Sequence, residues 1–155
     1  MKRLLVGLVL CLVFVGAAHA QEDPFNGTWK VDLAKSNGEG LPTAELVILE
    51  VSNNTEHATN DITFANGTRY RSEYTAPYND GKWHSTRNPE TGEPGRGKIM
   101  MVRMDARTEL RIGQNADGMM SSMIMRQVSE DGNTMRIVWY QADGSIYQQL
   151  HLDKQ

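Results

Sequence analysis

Cysteine is all but missing. The single Cys11 lies in an apolar N-terminal stretch, so no disulfide scaffold is available. Beyond residue 20 there is no long hydrophobic run, which leaves no candidate membrane-spanning helix there. An excess of basic charge is also lacking: 16 Lys and Arg face 19 Asp and Glu, for a net charge of −3. That balance disfavours nucleic acid and anionic membrane surfaces as partners. The four histidines stand at no metal-ligand spacing, and neither His-Glu-x-x-His nor Gly-x-Ser-x-Gly occurs. No catalytic residue, metal site or cofactor is therefore assigned from the sequence. Apolar residues make up 39% and charged residues 23%, a globular composition.

What is present starts with a leader. Residues 1–20 carry Lys2 and Arg3, then an apolar run from Leu4 to Val15, then Ala18-His19-Ala20. This is the layout of a signal peptide cleaved after Ala20. The expected mature chain, residues 21–155, forms one domain in the periplasm or secreted medium, with no stable membrane anchor. It has 135 residues and, without Lys2 and Arg3, a net charge of −5. Asn-x-Thr triplets at Asn26, Asn53 and Asn66 are read as turn residues rather than glycan acceptors.

The mature chain alternates short period-two runs with turn signals. Asn66-Gly67, Asp80-Gly81, Asp117-Gly118, Asp131-Gly132 and Asp143-Gly144 mark hairpins. Between them, Tyr70, Ser72 and Tyr74 share one parity, as do Met135, Ile137 and Trp139. Strands are expected near 25–33, 44–52, 55–65, 68–75, 81–86, 98–105, 108–114, 118–129, 133–141 and 145–153, with no substantial helix. Hairpin after hairpin predicts an all-β, up-and-down antiparallel barrel of eight to ten strands. Residues 36–43 read as a short loop. Residues 86–97, with two prolines and three glycines, read as a long open loop or lid.

The opening Phe25-Asn26-Gly27-Thr28-Trp29-Lys30 resembles the first strand of the calycins, the lipocalins and fatty-acid-binding proteins. With Lys35-Ser36, Asp105-Ala106-Arg107-Thr108 and the closing Leu152-Asp153-Lys154, it is most similar to small bacterial periplasmic lipocalin-like proteins of unknown function. The resemblance implies a barrel whose closed end is plugged by Trp29, with Gly27 allowing close approach. Lipocalins place an arginine from the last strand over this tryptophan; Lys154 stands there instead. The eight residues 36–43 have no room for the two helices of fatty-acid-binding proteins, and their C-terminal Arg-x-Tyr is missing, so a fatty-acid function is not carried over.

Methionine is the compositional outlier, with eight of nine between Met100 and Met135. Such soft, polarisable side chains suit either an adaptable lining or ordinary gap-filling in a core. Met100, Met123 and Met125, with Tyr70, Tyr74 and Trp139, are the candidate ligand-lining residues. Glu50, Glu73 and Asp105 read as solvent-facing, and His84 as the only histidine placed to watch for proton transfer. Gly92 to Lys98 matches Gly-x₄-Gly-Lys but lacks the following Ser or Thr, so it is not a phosphate loop. The expected function is binding of a small apolar or amphipathic molecule. The alternatives are a solid barrel serving protein interaction, for which the doublets Met100-Met101 and Met119-Met120 speak, and an enzyme for a lipid-like substrate.

Overall fold

The computed structural model describes residues 22–141 and 143–155. The leader with its cleavage point after Ala20, Cys11, and the turn residue Ala142 lie outside the described residues. Eleven strands form one antiparallel sheet: β1 (Gly27–Val31), β2 (Asn37–Gly38), β3 (Pro42–Ser52), β4 (Thr55–Phe64), β5 (Arg69–Pro77), β6 (His84–Arg87), β7 (Pro94–Arg103), β8 (Thr108–Asn115), β9 (Met120–Val128), β10 (Thr134–Tyr140) and β11 (Ile146–Lys154). From β3 onward each strand pairs with its sequence neighbour, β1 pairs with β3, and β1 closes the ring on β11. β1 and the two-residue β2 both pair with β11 and together make one stave. The result is a closed, up-and-down barrel of ten staves, with no helix among the described residues.

Local chemistry explains the hairpins. Between β3 and β4, Asn53 and Asn54 both hold positive φ, 48° and 59°, the pair of left-handed residues that a tight hairpin of matching twist needs. The expected loop 86–97 is the main correction. β6 runs to Arg87 and β7 starts at Pro94, leaving only residues 88–93 as connection. Asn88 organises that turn: its side chain accepts from the N–H of Glu90 at 2.8 Å, and its carbonyl accepts from Gly92. Composition misled here because proline opens a strand at low cost where its missing N–H is not needed.

One seam of the barrel is thin. β5 and β6 share a single register pair, Glu73 with Arg87. Side chains bridge what the ladder does not: Arg87 pairs with Glu73, and Arg71 with Glu90.

The first stave closes one end. Trp29 is fully buried and its indole N–H donates to the Phe25 carbonyl at 2.9 Å. The Lys154 ammonium sits 5.4 Å from the Trp29 ring centroid, the cation–π contact that an arginine makes in lipocalins. Gly27 has φ of 137°, and a Cβ there would fall 2.6 Å from Lys154 Cε, so glycine is what lets the lysine cross. Arg103 stacks on Phe25 and Tyr78 and pairs with Asp23 at 3.1 Å, clamping the segment before β1 onto the barrel.

Candidate functional site

Above this plug the barrel interior divides into a filled lower half and a hollow upper half. The lower half holds a buried polar network. On β4 the alternation turns Glu56, Ala58, Asn60 and Ile62 inward, against an outer set of Thr, His and Asp. Glu109 on β8 and Arg126 on β9 are inward by register and almost wholly buried. Arg126 lies 2.7 Å from Glu56 and 2.8 Å from Glu109. Tyr74 donates its hydroxyl to Glu56 at 2.7 Å. The Tyr78 oxygen lies 2.7 Å from a carboxylate oxygen of Glu56 and 2.7 Å from one of Glu109.

One phenolic proton cannot serve two carboxylates. The second contact needs a proton from a carboxyl group, so the pair shares one. Burial pushes Glu109 up, with the charge of Glu56 adding to it against Arg126. Burial opposes ionisation of Glu56 too, but Arg126 and the two tyrosine hydroxyls outweigh it and hold Glu56 below the ordinary range. Neutral Glu109, anionic Glu56 and cationic Arg126 then sum to zero, which is how three buried ionisable groups are tolerated.

The upper half encloses a cavity of about 340 Å³. That lies at the lower end of the usual range for small-molecule pockets, ~300–1,000 Å³. Val47, Ile62, Phe64, Ile99, Ile124 and Ile137 supply an apolar wall. Polar groups enter as Glu45, Asn60, Ser72, Arg111, Ser122 and Trp139, with Arg126 at the floor and Arg96 and Lys98 toward the mouth. Register irregularities cluster at this end, at Pro42/Ala44, Ser85/Arg87, Gly113/Gln114 and Trp139/Tyr140. Bulges at a barrel rim bend the strands and increase their local twist.

The polar groups of the cavity are short of partners, whereas below them even the two atoms outside hydrogen-bond geometry, Arg126 Nε and Glu109 Oε1, meet as an ion pair at 2.8 Å. Arg111, Ile124 and Trp139 are side by side in register across β8, β9 and β10. The Arg111 side chain makes no hydrogen bond or ion pair among the described residues, and its buried Nε is unpaired. The Trp139 Nε1–H is likewise buried without an acceptor. The Arg111 guanidinium lies 5.9 Å from both the Tyr74 and Trp139 ring centroids, held by stacking rather than by a counter-ion. Glu45 is 5% exposed and faces the same space, and its carboxyl hydrogen-bonds to no described residue. Burial raises its carboxyl to about 7, against the pull of Arg111 and Arg126.

Of the residues singled out from sequence, Tyr70 and Trp139 line the cavity, Tyr70 at the rim and 42% exposed. Tyr74 lies beneath it, in the polar network. Met100, Met123 and Met125 do not line it, which reverses the expectation for these three. Ile99 and Met101, and Ile124 and Arg126, take the inward parity, so the three methionines stand on the outer face. There Met100, Ile112, Met123 and Tyr140 form one cross-strand row, and Val102, Leu110, Met125 and Val138 a second. The register follows from Arg126 and Glu109: a slip of one residue would expel both from the network.

Glu45, Arg111 and Arg126 were not found by sequence reasoning. Glu56 alone had a usable signal, since it shares parity with Ala58 and Ile62. His84 pairs with Asp80 at 2.9 Å, away from the cavity. Among the described residues no group of three His, Asp, Glu or Cys is gathered as for a metal ion.

No protein-family model matches the chain, and no curated protein matches its sequence. What stands of the resemblance at this point is the closed antiparallel up-and-down barrel.

Proposed function

We propose that this protein is a lipocalin-like carrier, exported to the periplasm or secreted by its leader, that binds a small amphipathic molecule inside the barrel. The observation that carries this reading is the hollow upper half: an apolar wall with the Arg111 Nε and the Trp139 N–H buried and unpartnered, and Glu45 facing the same space. A buried polar group without a partner costs roughly 1–3 kcal/mol. Such a cost makes sense where a ligand supplies the missing partner. Native mass spectrometry of protein purified from the periplasm without organic solvent tests it. A reproducible stoichiometric adduct is expected. A clean apo mass, with no uptake of a neutral solvatochromic dye afterwards, would contradict it.

A second reading has its own observation. The two outer rows from Met100 to Tyr140 and Val102 to Val138 put eight apolar residues on adjacent strands β7 to β10 with no charge among them, seven of them half-buried and Val138 wholly buried. That face favours contact with another protein, and it is compatible with a ligand inside.

A further inference from the structure

The buried network beneath the cavity holds a proton that ligand binding does not use, and Arg103 ties that proton to the segment before β1. Arg103 Nη2 stands between two carboxyl oxygens, 3.1 Å from Asp23 Oδ2 and 3.9 Å from Glu109 Oε2. The same Glu109 Oε2 lies 2.7 Å from the Tyr78 hydroxyl. The rings of Tyr78 and Phe25 lie against the guanidinium, with centroids 4.2 Å and 4.6 Å away. Asp23 in turn orders its own segment. Its side chain accepts the Phe25 N–H and its carbonyl accepts the Asn26 N–H, both at 3.0 Å. Phe25 is fully buried.

The charges around Glu109 come from five places. β4 brings Glu56, β5 brings Tyr74, the turn after β5 brings Tyr78, β7 brings Arg103 and β9 brings Arg126. Asp23 and, in the turn after β7, Asp105 act on it through Arg103. β3, β10 and β11 add only apolar side chains at this depth, Val47, Leu49, Met135, Leu150 and Leu152. With its proton Glu109 is neutral, Glu56 balances Arg126, and Asp23 balances Arg103. Without it a second anion stands in a dry interior. Arg126, 2.8 Å away, is already shared with Glu56, so Arg103 is the cation left to answer it. A charge pair is stronger in a low-dielectric interior than near water. Asp23 is half-exposed to water, which can take over its charge.

We propose that the proton shared by Glu56, Tyr78 and Glu109 is a latch on the closed end of the barrel: its loss draws Arg103 onto Glu109, frees Asp23, and releases the segment from Glu22 to Asn26 that carries Phe25. Burial raises the Glu109 carboxyl to about 8, with the charge of Glu56 adding to it against Arg126. The stability this proton contributes is complete below the ordinary carboxyl value and is lost as pH rises through about 8. The latch is therefore shut at neutral pH and opens on the alkaline side. It stands whether or not the cavity above takes a ligand.

The chain provides its own reporters. Of its three phenylalanines, Phe14 falls in the leader, Phe25 lies in the latch and Phe64 lines the cavity. Fluorophenylalanine incorporated into the full mature protein thus gives two fluorine NMR signals, to be followed from pH 6.5 to 9.5. The Phe25 signal is expected to move as a single-proton titration, toward the position it already holds at pH 6.5 in Asp23→Ala, where Arg103 has lost its outer anion. In Glu109→Gln it is expected to stay at its low-pH position throughout. The Phe64 signal answers to Glu45 instead and is expected to be the same in Glu109→Gln as in wild type. Should Glu109→Gln not fold, carbon NMR of the wild-type carboxyl groups decides, since Glu109 must titrate with the same midpoint as the Phe25 signal. A Phe25 signal that stays fixed in wild type, or that moves equally in Glu109→Gln, would overturn the latch. So would collapse of both fluorine signals together to their unfolded positions, which is the whole barrel loosening rather than one end.

Discussion

The lower and upper halves of the barrel interior contain the same kinds of residue and treat them oppositely. Below, Glu56, Glu109, Arg126, Tyr74 and Tyr78 contact one another within 2.7–2.8 Å. Above, Glu45, Arg111 and Trp139 share a cavity without touching a polar partner. Buried polarity alone therefore does not mark a site. A satisfied network fixes the register of a barrel, whereas the groups around the void are left without partners from the described residues.

The largest expected effect lies in the lower half. Glu56→Ala removes the anion that balances Arg126 and the acceptor of Tyr74, and leaves Tyr78 with Glu109 alone. Urea denaturation should show a loss of about 3–5 kcal/mol, the usual cost of breaking a buried pair from one side. A loss below ~1 kcal/mol would erase the contrast between the halves.

The next effect belongs to Glu45 and has the opposite sense. Its carboxyl is raised from 4.5 to about 7 in the folded chain. The unfolded chain therefore ionises it first. The stability it contributes is complete below pH 4.5 and is lost as pH rises through 7, up to about 3 kcal/mol. Glu45→Gln should flatten that fall in thermal melts between pH 5 and 8.5. Glu56, held low, works the other way: its contribution is present above pH 4.5 and is lost on acidification through its lowered folded value.

Smaller effects sharpen the frame around both halves. Lys154→Ala removes the cation over Trp29 and should cost about 0.5–1 kcal/mol, read from the denaturation midpoint. Glu73→Gln breaks the pair with Arg87 at the thin β5–β6 seam, where Arg87 is mostly exposed. It should cost less than about 1 kcal/mol and vanish at high salt.

Much of the architecture was legible because strands with one polar face announce their parity. β5 and β10 did so: Ser72 and Tyr74, and Met135, Ile137 and Trp139, all point inward as their alternation implied. β8 and β9 did not. Their outer set, with Leu110, Ile112, Met123 and Met125, is more apolar than an inner set that holds Glu109, Arg111 and Arg126. Hydrophobic alternation then points the wrong way, because what fixes these strands is a charge pairing across the barrel. The partners lie up to 70 residues apart, as Glu56 and Arg126 do, and no local spacing carries that information. The cavity was illegible for the same reason, since it is defined by partners that fail to meet.

The central claim is that a small molecule binds in the upper half of the barrel interior and not on the outer methionine face. Titrating a neutral solvatochromic dye into wild type, Ile62→Trp and the double variant Met123→Gln with Met125→Gln tests it most directly. Ile62 lines the cavity, and a larger side chain there takes up its volume. One dye per chain in the wild type, at least about tenfold weaker binding in Ile62→Trp with its melting temperature retained, and undiminished binding in the double variant is the predicted pattern. Full binding by Ile62→Trp, with loss in the double variant, would contradict the account and move the site to the outside of the barrel.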